Sequence, residues 1–256
     1  MVFHKISHNR TADAVVSQIE DLVMEGILRP GDQLPPEREL AKKVDVSRPI
    51  LRDAIKSLEG DGILVSKQGG GTFVADIIGT IFSDPIVGLF KKTKRATLDY
   101  LEFRREVEGT AAALAAERAT PEDREILNRI ITAMDAAHKK DDFTEETTID
   151  VEFHTAIGEA THNIVMQHML RSCYRLLAEG VVYNRSELYR RPGCRDRLME
   201  QHRDIYEGII NSDPETAKQA ARAHMIYVDT MLKNIELTGA RQEISRMRLE
   251  RLGSLK

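Results

Sequence analysis

The order of local patterns in residues 36–74 is the feature that most constrains the fold. Within "VDVSRPILRDAIKSLEGDGILVSKQGGGTFV", residues 44–74, Ser47 is placed as the N-cap of a helix whose first turn contains Pro49. Two β-like runs, "ILVSK" and "TFVA", then flank three glycines. A phosphate-binding loop needs a strand, then glycines, then a helix, which is a different order. The glycines therefore predict a β-hairpin and not a nucleotide site.

Helical patterns come before this hairpin. Apolar residues recur at helical spacing over residues 11–26, and a second, short helix is predicted from Pro36 to Lys43. The brief turn "VDV" separates that short helix from the helix that begins after Ser47. Two short helices, a tight turn and a hairpin predict a winged helix-turn-helix domain over residues 1–76, which is a module that binds DNA.

Basic side chains lie where this module would meet DNA. Arg48 and Arg52 are four residues apart near the start of the third helix, and Arg38 is on the helix before it. An arginine can donate two hydrogen bonds to one guanine in the major groove. The alternative is a solvated face shared with Glu37 and other acidic residues, and the hairpin favours DNA contact over that alternative.

Charge and composition restrict how the chain could bind DNA and in which compartment we expect it. The chain of 256 residues has a net charge of −4, and residues 1–76 contain ten Lys or Arg against twelve Asp or Glu. DNA binding must therefore depend on a concentrated basic cluster. Cys173 and Cys194 lack metal-type spacing and fit a reducing compartment. No signal peptide and no membrane-length apolar run is evident, so we expect a cytoplasmic protein.

The remainder of the chain predicts a second, all-α domain. Residues 77–96 mix glycine, proline and a basic run, which is typical of a linker. Helical patterns follow at 97–118, 121–139, 144–160, 163–186, 194–211 and 214–237. Residues 239–256 are predicted to be a charged, frayed tail. The fold class is therefore mostly α, with an N-terminal winged helix-turn-helix and a C-terminal helical-bundle ligand-binding domain over 97–238.

Polar residues of metal-ligand type lie on apolar stripes of these helices. Asp150 and His154 are i, i+4 neighbours on one helix, and His202 and His224 each lie on the apolar stripe of another. One divalent cation would satisfy all four groups together, and Zn, Ni, Mn and Fe all suit three imidazoles and a carboxylate. The alternative is a set of separately satisfied core histidines. Three further histidines are competing candidates: His138, His162 and His168.

Two groups of segments resemble a known family. The stretch "LPPERELAKKVDVSRPILRDAIKSLEGDGILVSKQGGGTFV" strongly resembles the DNA-binding module of bacterial transcription factors of the GntR superfamily. The later segments "DYLEFRREVEGTAAALAAERAT", "DVEFHTAIGEATHN", "EQHRDIYEGI" and "ARAHM" resemble the ligand-binding (FCD) domain of its FadR-type branch. Together these segments span nearly the whole chain.

The resemblance implies a role for particular residues. The implied DNA contacts are Arg38, Ser47, Arg48 and Arg52, with Gln68 and Gly69 at the tip of the wing. The implied metal ligands are Asp150, His154, His202 and His224, with zinc expected first and nickel, manganese or iron as alternatives. The implied effector-binding residues are Arg104 and Glu108, and Arg104 is suited to hold a carboxylate. For the last two residues the alternative is a simple i, i+4 ion pair.

The expected function is that of a homodimeric repressor of central carbon metabolism genes. It would bind a pseudo-palindromic operator and leave it when a small carboxylic acid binds. "FSDPIV" and "LEFRREVEGTAA" resemble pyruvate-responsive members, so pyruvate ranks first, whereas the pair Asp150–His154 and "EQH" equally resemble L-lactate-responsive members. A metal-dependent enzyme acting on a small acid is the alternative from another class, and it lacks an evident general base. A DNA-organising protein without ligand control is disfavoured by the pocket residues.

Overall fold

The chain divides into two compact units, Met1–Ser83 and Asp84–Lys256. The structure, a computed structural model, describes residues 12–67, 69–77, 84–140, 142–178 and 188–253. Each unit has a hydrophobic core of its own. Among the residues described, no helix combines the length and the apolar character needed to cross a membrane.

The first unit is a winged helix-turn-helix, as predicted. Its helices are α1 (Ala12–Met24), α2 (Glu37–Val44) and α3 (Arg48–Gly60), and its strands are β1 (Leu64–Lys67) and β2 (Gly71–Val74). The strands pair in an antiparallel hairpin in which Leu64 faces Val74 and Lys67 faces Gly71. Every element contributes to one core, with these residues among its buried members: Val15, Ile19, Leu40, Val44, Leu51, Leu58, Leu64 and Val74.

The turn between α2 and α3 depends on one left-handed residue. Asp45 ends α2 with φ 59° and ψ 44°, and its backbone N–H donates to the carbonyl of Ala41. Aspartate tolerates this conformation better than most residues, so the chain reverses within a few residues. Ser47 then occupies the N-cap position of α3, and Pro49 lies in its first turn.

A contact from outside the hairpin braces the wing. The side chain of Gln33 donates from Nε2 to the carbonyl of Gly70 at 2.9 Å, and the backbone of Gln33 bridges to Phe73. Gly71 has φ +98°, and a Cβ atom there would lie 2.5 Å from Gln33 Nε2. The backbone conformation therefore favours glycine at position 71, and a side chain there would also displace the end of Gln33 from Gly70.

The second unit is all-helical in its described residues, as predicted. Its helices are α4 (Asp84–Lys92), α5 (Lys94–Arg118), α6 (Pro121–Lys139), α7 (Phe143–Glu159), α8 (Ile164–Ala178), α9 (Cys194–Ile210) and α10 (Pro214–Gly253). Small residues at positions 111, 112, 115 and 116 of α5 are fully buried and let neighbouring helices pack closely. Phe153 of α7, Leu127 of α6 and Ile205 of α9 fill the same core.

The helices extend beyond the predicted boundaries at both ends of this unit. Helix α4 and the start of α5 occupy most of the segment predicted as a linker, since Pro85 falls in the first turn of α4, where it is tolerated. Helix α10 continues through the segment predicted as a tail as far as Gly253. Ion pairs one turn apart support this extension, for example Arg246 with Glu243 at 2.7 Å. Helix α8 is described as far as Ala178, and residues 179–186 of the predicted helix 163–186 lie outside the described part of the chain.

Candidate metal centre and DNA-contact surface

Three helices of the second unit bring the four predicted metal ligands together. Asp150 and His154 come from α7, His202 from α9 and His224 from α10, and none of the four is more than 4% exposed. One ring nitrogen from each of the three histidines lies within 4.8 Å of the others. Asp150 Oδ1 is 3.1 Å from His202 Nε2 and 3.9 Å from His154 Nε2. Residues far apart in the sequence thus form one compact polar cluster inside an apolar core.

Local packing explains how α9 and α10 place two of these histidines. Gly208 of α9 lies against Ala217 of α10 so closely that a Cβ atom on Gly208 would be 2.7 Å from the Ala217 backbone. Glycine therefore lets the two helices approach at this point. The rings of His202 and His224, one to two turns further along, have centroids 4.7 Å apart. Phe153 meets His202 edge-on at 5.3 Å and covers one side of the cluster.

The chemistry of the cluster fits a divalent metal. His154 Nδ1 lies 3.0 Å from Glu108 Oε2, so the opposite nitrogen, Nε2, faces the other histidines. His154 Nε2 is buried and has no hydrogen-bond partner among the described residues. A buried imidazole nitrogen without a partner is costly, and a carboxylate behind a histidine is the usual support of a metal ligand. A set of separately satisfied core histidines does not account for this nitrogen.

Glu108 also pairs with the predicted effector residue Arg104. Both residues are buried on α5, and Arg104 Nε donates to Glu108 Oε1 at 2.5 Å. The guanidinium lies 5.7 Å and 5.4 Å from the ring centroids of Tyr100 and Tyr174. Burial alone would raise the pKa of Glu108, but the charge of Arg104 and the hydrogen bonds from His154 and Arg104 lower this pKa to about 2. The ion pair considered as an alternative is thus present, and it also reaches His154.

The competing histidines lie elsewhere. His138 Nδ1 is 2.9 Å from Glu146 Oε1, and its Nε2 is 3.0 Å from Asp196 Oδ1. His162 lies in an exposed turn with φ 48° and contacts Asp123. His168 lies on α8, outside the group of three clustered histidines.

Sequence reasoning missed the buried carboxylate Glu146. Arg195 binds both of its oxygens, through Nε at 2.9 Å and Nη2 at 2.8 Å, and stacks over Phe143. An acidic residue in the first turn of a helix is usually interpreted as exposed and as interacting with the helix dipole. No local pattern therefore distinguished Glu146 from its half-buried neighbour Glu145.

The predicted DNA-contact arginines are all exposed on the first unit, and two of them share one acidic partner. Arg48 and Arg52 of α3 have 57% and 54% exposed side chains, and Arg38 of α2 is also exposed. Glu37 Oε2 lies 2.9 Å from Arg52 Nε and 3.7 Å from Arg48 Nη2, so one carboxylate holds both arginines on the same face.

Two other predicted DNA-contact positions are also exposed. Ser47, at the N-cap of α3, makes no capping hydrogen bond with its side chain within the described residues. Gly69 lies in the wing turn with φ +73°. Gln68 lies outside the described residues.

Comparisons with known proteins agree with both units. The family described as "Bacterial regulatory proteins, gntR family" matches residues 11–74, and the FCD domain matches residues 99–226. The protein named as regulator of the L-lactate dehydrogenase operon in Escherichia coli (strain K12) is 35% identical, over 91% of this chain and 90% of its own. The Glc operon transcriptional activator of the same strain is 34% identical, over 89% of this chain and 91% of its own.

A solved structure supports the same assignment. The structure described as Streptococcus agalactiae GntR is 27% identical and superposes with a TM-score of 0.54, over 85% of this chain and 98% of that chain. Two family domains in the expected order, together with relatives similar over nearly their full length, identify a transcriptional regulator and not an enzyme. The chain therefore belongs to the GntR family of bacterial regulatory proteins, in the branch that carries an FCD domain.

Proposed function

We propose that the protein represses genes of carbon metabolism and leaves its operator when a small 2-hydroxy or 2-oxo acid binds the FCD domain. The observation that carries this proposal is a buried chain of two contacts, from Arg104 to Glu108 and from Glu108 to His154. These contacts connect the Arg104 guanidinium to the histidine cluster. Asp150, His154, His202 and His224 would hold a divalent metal, with zinc as the first expectation. Such a metal offers a Lewis-acidic position to an acid that carries a second oxygen next to its carboxylate.

Arg104 supplies the second half of the proposed acid site. Its side chain is completely buried, and a guanidinium in such surroundings binds a carboxylate more strongly than an exposed one does. The names of the two E. coli relatives refer to the L-lactate dehydrogenase and Glc operons. These names support L-lactate as the first acid to test, although the sequence segments ranked pyruvate first.

The protein would bind DNA as a homodimer, on a pseudo-palindromic site. Two winged modules, one from each copy, would place two α3 helices in successive turns of the major groove. The exposed arginines and Ser47 are then the contacts on each half-site, and Gly69 lies at the wing that would reach the neighbouring minor groove. One relative is named an activator, so the direction of the acid's effect is part of the test.

The experiment is an acid titration of a protein–operator complex. A labelled operator, selected from random DNA by the protein itself, is followed by fluorescence anisotropy while L-lactate, pyruvate or glycolate is added. We expect one acid to weaken DNA binding about five- to hundredfold, which corresponds to a coupling of about 1–3 kcal/mol. Arg104→Met should still bind the operator as the wild type does, but keep the DNA when that acid is added.

Three outcomes would contradict this proposal. Release of Arg104→Met at the wild-type acid concentration would remove Arg104 from the acid site. Tighter DNA binding on addition of the acid would make the protein an activator-type or co-repressed regulator. Operator binding that no small acid changes would support a DNA-organising role without ligand control.

A further inference from the structure

We propose that Glu108 is a positioning residue shared by the two halves of the site. One of its oxygens orients His154 for the metal, and the other orients Arg104 for the acid. Metal affinity and acid response therefore depend on the same carboxylate. This inference rests on the proposed function, because it assigns a role to Glu108 at the metal and acid sites proposed above.

The contact with His154 sets which ring nitrogen is offered to the metal. A carboxylate oxygen accepts hydrogen bonds, so His154 Nδ1, 3.0 Å from Glu108 Oε2, is the ring nitrogen that donates to it. The lone pair is then on Nε2, which is the nitrogen without a hydrogen-bond partner among the described residues. A carboxylate in this place also fixes the plane of the ring, and loss of such a partner usually lowers metal affinity about 10–100-fold.

The contact with Arg104 sets the direction of the guanidinium. The bond from Nε to Glu108 Oε1 spans one turn of the 25-residue helix α5, so both ends of the pair are fixed to one rigid element. The rings of Tyr100 and Tyr174 lie near the guanidinium and limit its movement further. Because the Glu108 carboxylate occupies the Nε side of Arg104, the two Nη groups are held in one orientation, in which they would face the carboxylate of an acid.

A second arrangement in the same unit joins the same three residue types without leaving a histidine nitrogen unpartnered. Glu146 is as buried as Glu108, pairs with Arg195, and lies 2.9 Å from His138 Nδ1. In this case, however, the other ring nitrogen of His138 is already bonded to Asp196. Both arrangements join an arginine, a glutamate and a histidine, but only that of Glu108 ends in a histidine nitrogen that needs a further partner.

The test compares Glu108→Gln with the matched variant Glu146→Gln in the full-length protein. A glutamine has one carbonyl and one NH₂ group, so it cannot accept from both an arginine and a histidine as the carboxylate does. Co²⁺ binding is followed by visible absorption, and Zn²⁺ affinity by competition with a chromophoric chelator. We expect Glu108→Gln to bind both metals about 10–100-fold more weakly, and Glu146→Gln to bind them with near wild-type affinity.

A spectroscopic measurement separates positioning from general loss of stability. In metal-free wild type, ¹⁵N NMR of the histidine side chains should show His154 as the Nδ1–H tautomer, and Glu108→Gln should lose this preference. Glu146→Gln should keep it. The acid titration of the operator complex should also fail in Glu108→Gln, because Arg104 is no longer held.

A double variant covers the case in which Glu108→Gln does not fold. Arg104→Met/Glu108→Gln leaves no unpaired buried charge, and it should fold and show the same loss of metal affinity. Wild-type metal affinity in whichever of the two variants folds would overturn the role of Glu108 and leave the metal site intact. Failure of both variants to fold, or equal loss in Glu146→Gln, would show that Glu108 is structural. A wild-type protein that binds neither metal would overturn the proposed metal site itself.

Discussion

Two arginine–glutamate–histidine groups of the FCD domain differ at one nitrogen of the histidine. In one group both ring nitrogens of the histidine have a hydrogen-bond partner, since His138 bonds to Glu146 and to Asp196. In the other, His154 Nε2 has no hydrogen-bond partner among the described residues. An unsatisfied nitrogen in a core costs about 1–3 kcal/mol, so its presence among three histidines supports the proposed metal site. This single-atom difference underlies the prediction for the metal.

Replacement of His202 or His224 by alanine should remove the metal and lower the thermal unfolding temperature. A metal that binds only the folded state stabilises it by about 2.7 kcal/mol when its concentration is a hundred times its Kd. Elemental analysis and thermal unfolding, with and without chelator, provide the measurement. Chelator should lower the unfolding temperature of the wild type but not of either variant. Full metal occupancy in the double variant would contradict the assignment of these two ligands.

Replacement of Arg52 by alanine should weaken operator binding by about 1–3 kcal/mol and relax the preference for one base. Ser47→Ala should instead weaken binding to all sequences alike, because a contact at a helix N-terminus reaches a phosphate and not a base edge. Affinities for the selected operator and for a random fragment, measured at several salt concentrations, separate the two effects. An Arg52→Ala protein that prefers the operator as strongly as the wild type does would remove Arg52 from base recognition.

Helix boundaries were predictable wherever a side chain marks them. Helix α6 runs over the predicted range, because Thr120 caps it, Pro121 starts it and Asp123 completes a capping box. Helix α10 runs past its predicted end, because charged residues with few apolar positions were interpreted as a tail although they propagate a helix well.

Contacts between helices were harder to predict than the helices themselves. The i, i+4 spacing on α5 gave the ion pair of Arg104 and Glu108 as the alternative to an effector site, and this pair is present. The contact of Glu108 with His154 joins α5 to α7, and no local spacing encodes it. The four ligand-type residues were found from the sequence because a polar residue on an apolar stripe is itself a signal.

The contact of α9 with α10 is predicted to control both stability and metal binding. Gly208→Ala would place a Cβ atom 2.7 Å from the Ala217 backbone, so the helices must separate. We expect a loss of about 1–3 kcal/mol in unfolding free energy, as is usual for overpacking, together with weaker metal binding. Urea unfolding and chelator competition measure these two effects.

Gly239→Ala is the matched control for this helix pair. Gly239 lies in α10, and a Cβ atom added there would meet no neighbouring side chain or helix within 4 Å, so alanine should leave metal binding unchanged. It should also stabilise the helix by up to about 1 kcal/mol. If Gly208→Ala and Gly239→Ala unfold at the same urea concentration, then the close approach of α9 and α10 does not limit stability.

On the scale of the whole molecule, the two units have separate cores and match two separate families. An acid bound in one unit can change DNA binding by the other only if it binds the DNA-free state more tightly than the DNA-bound state. Sequence patterns identified both units because each carries a long, specific motif. The linkage between them is a difference in free energy between two states, and no motif encodes such a difference.

The burial of the proposed acid site affects how fast the protein can release DNA after an acid is added. Arg104 has 0% exposure, and Asp150, His154, His202 and His224 have at most 4%. We therefore expect an acid to reach these residues only after the surrounding structure opens, at a rate that the protein sets. In stopped-flow mixing of acid with a labelled operator complex, the rate of DNA release should rise with acid concentration and then reach a plateau. A rate that rises linearly at all concentrations would show an open route to the site. With a plateau, a sudden excess of acid cannot hasten the response, and the delay before release becomes a fixed property of the fold.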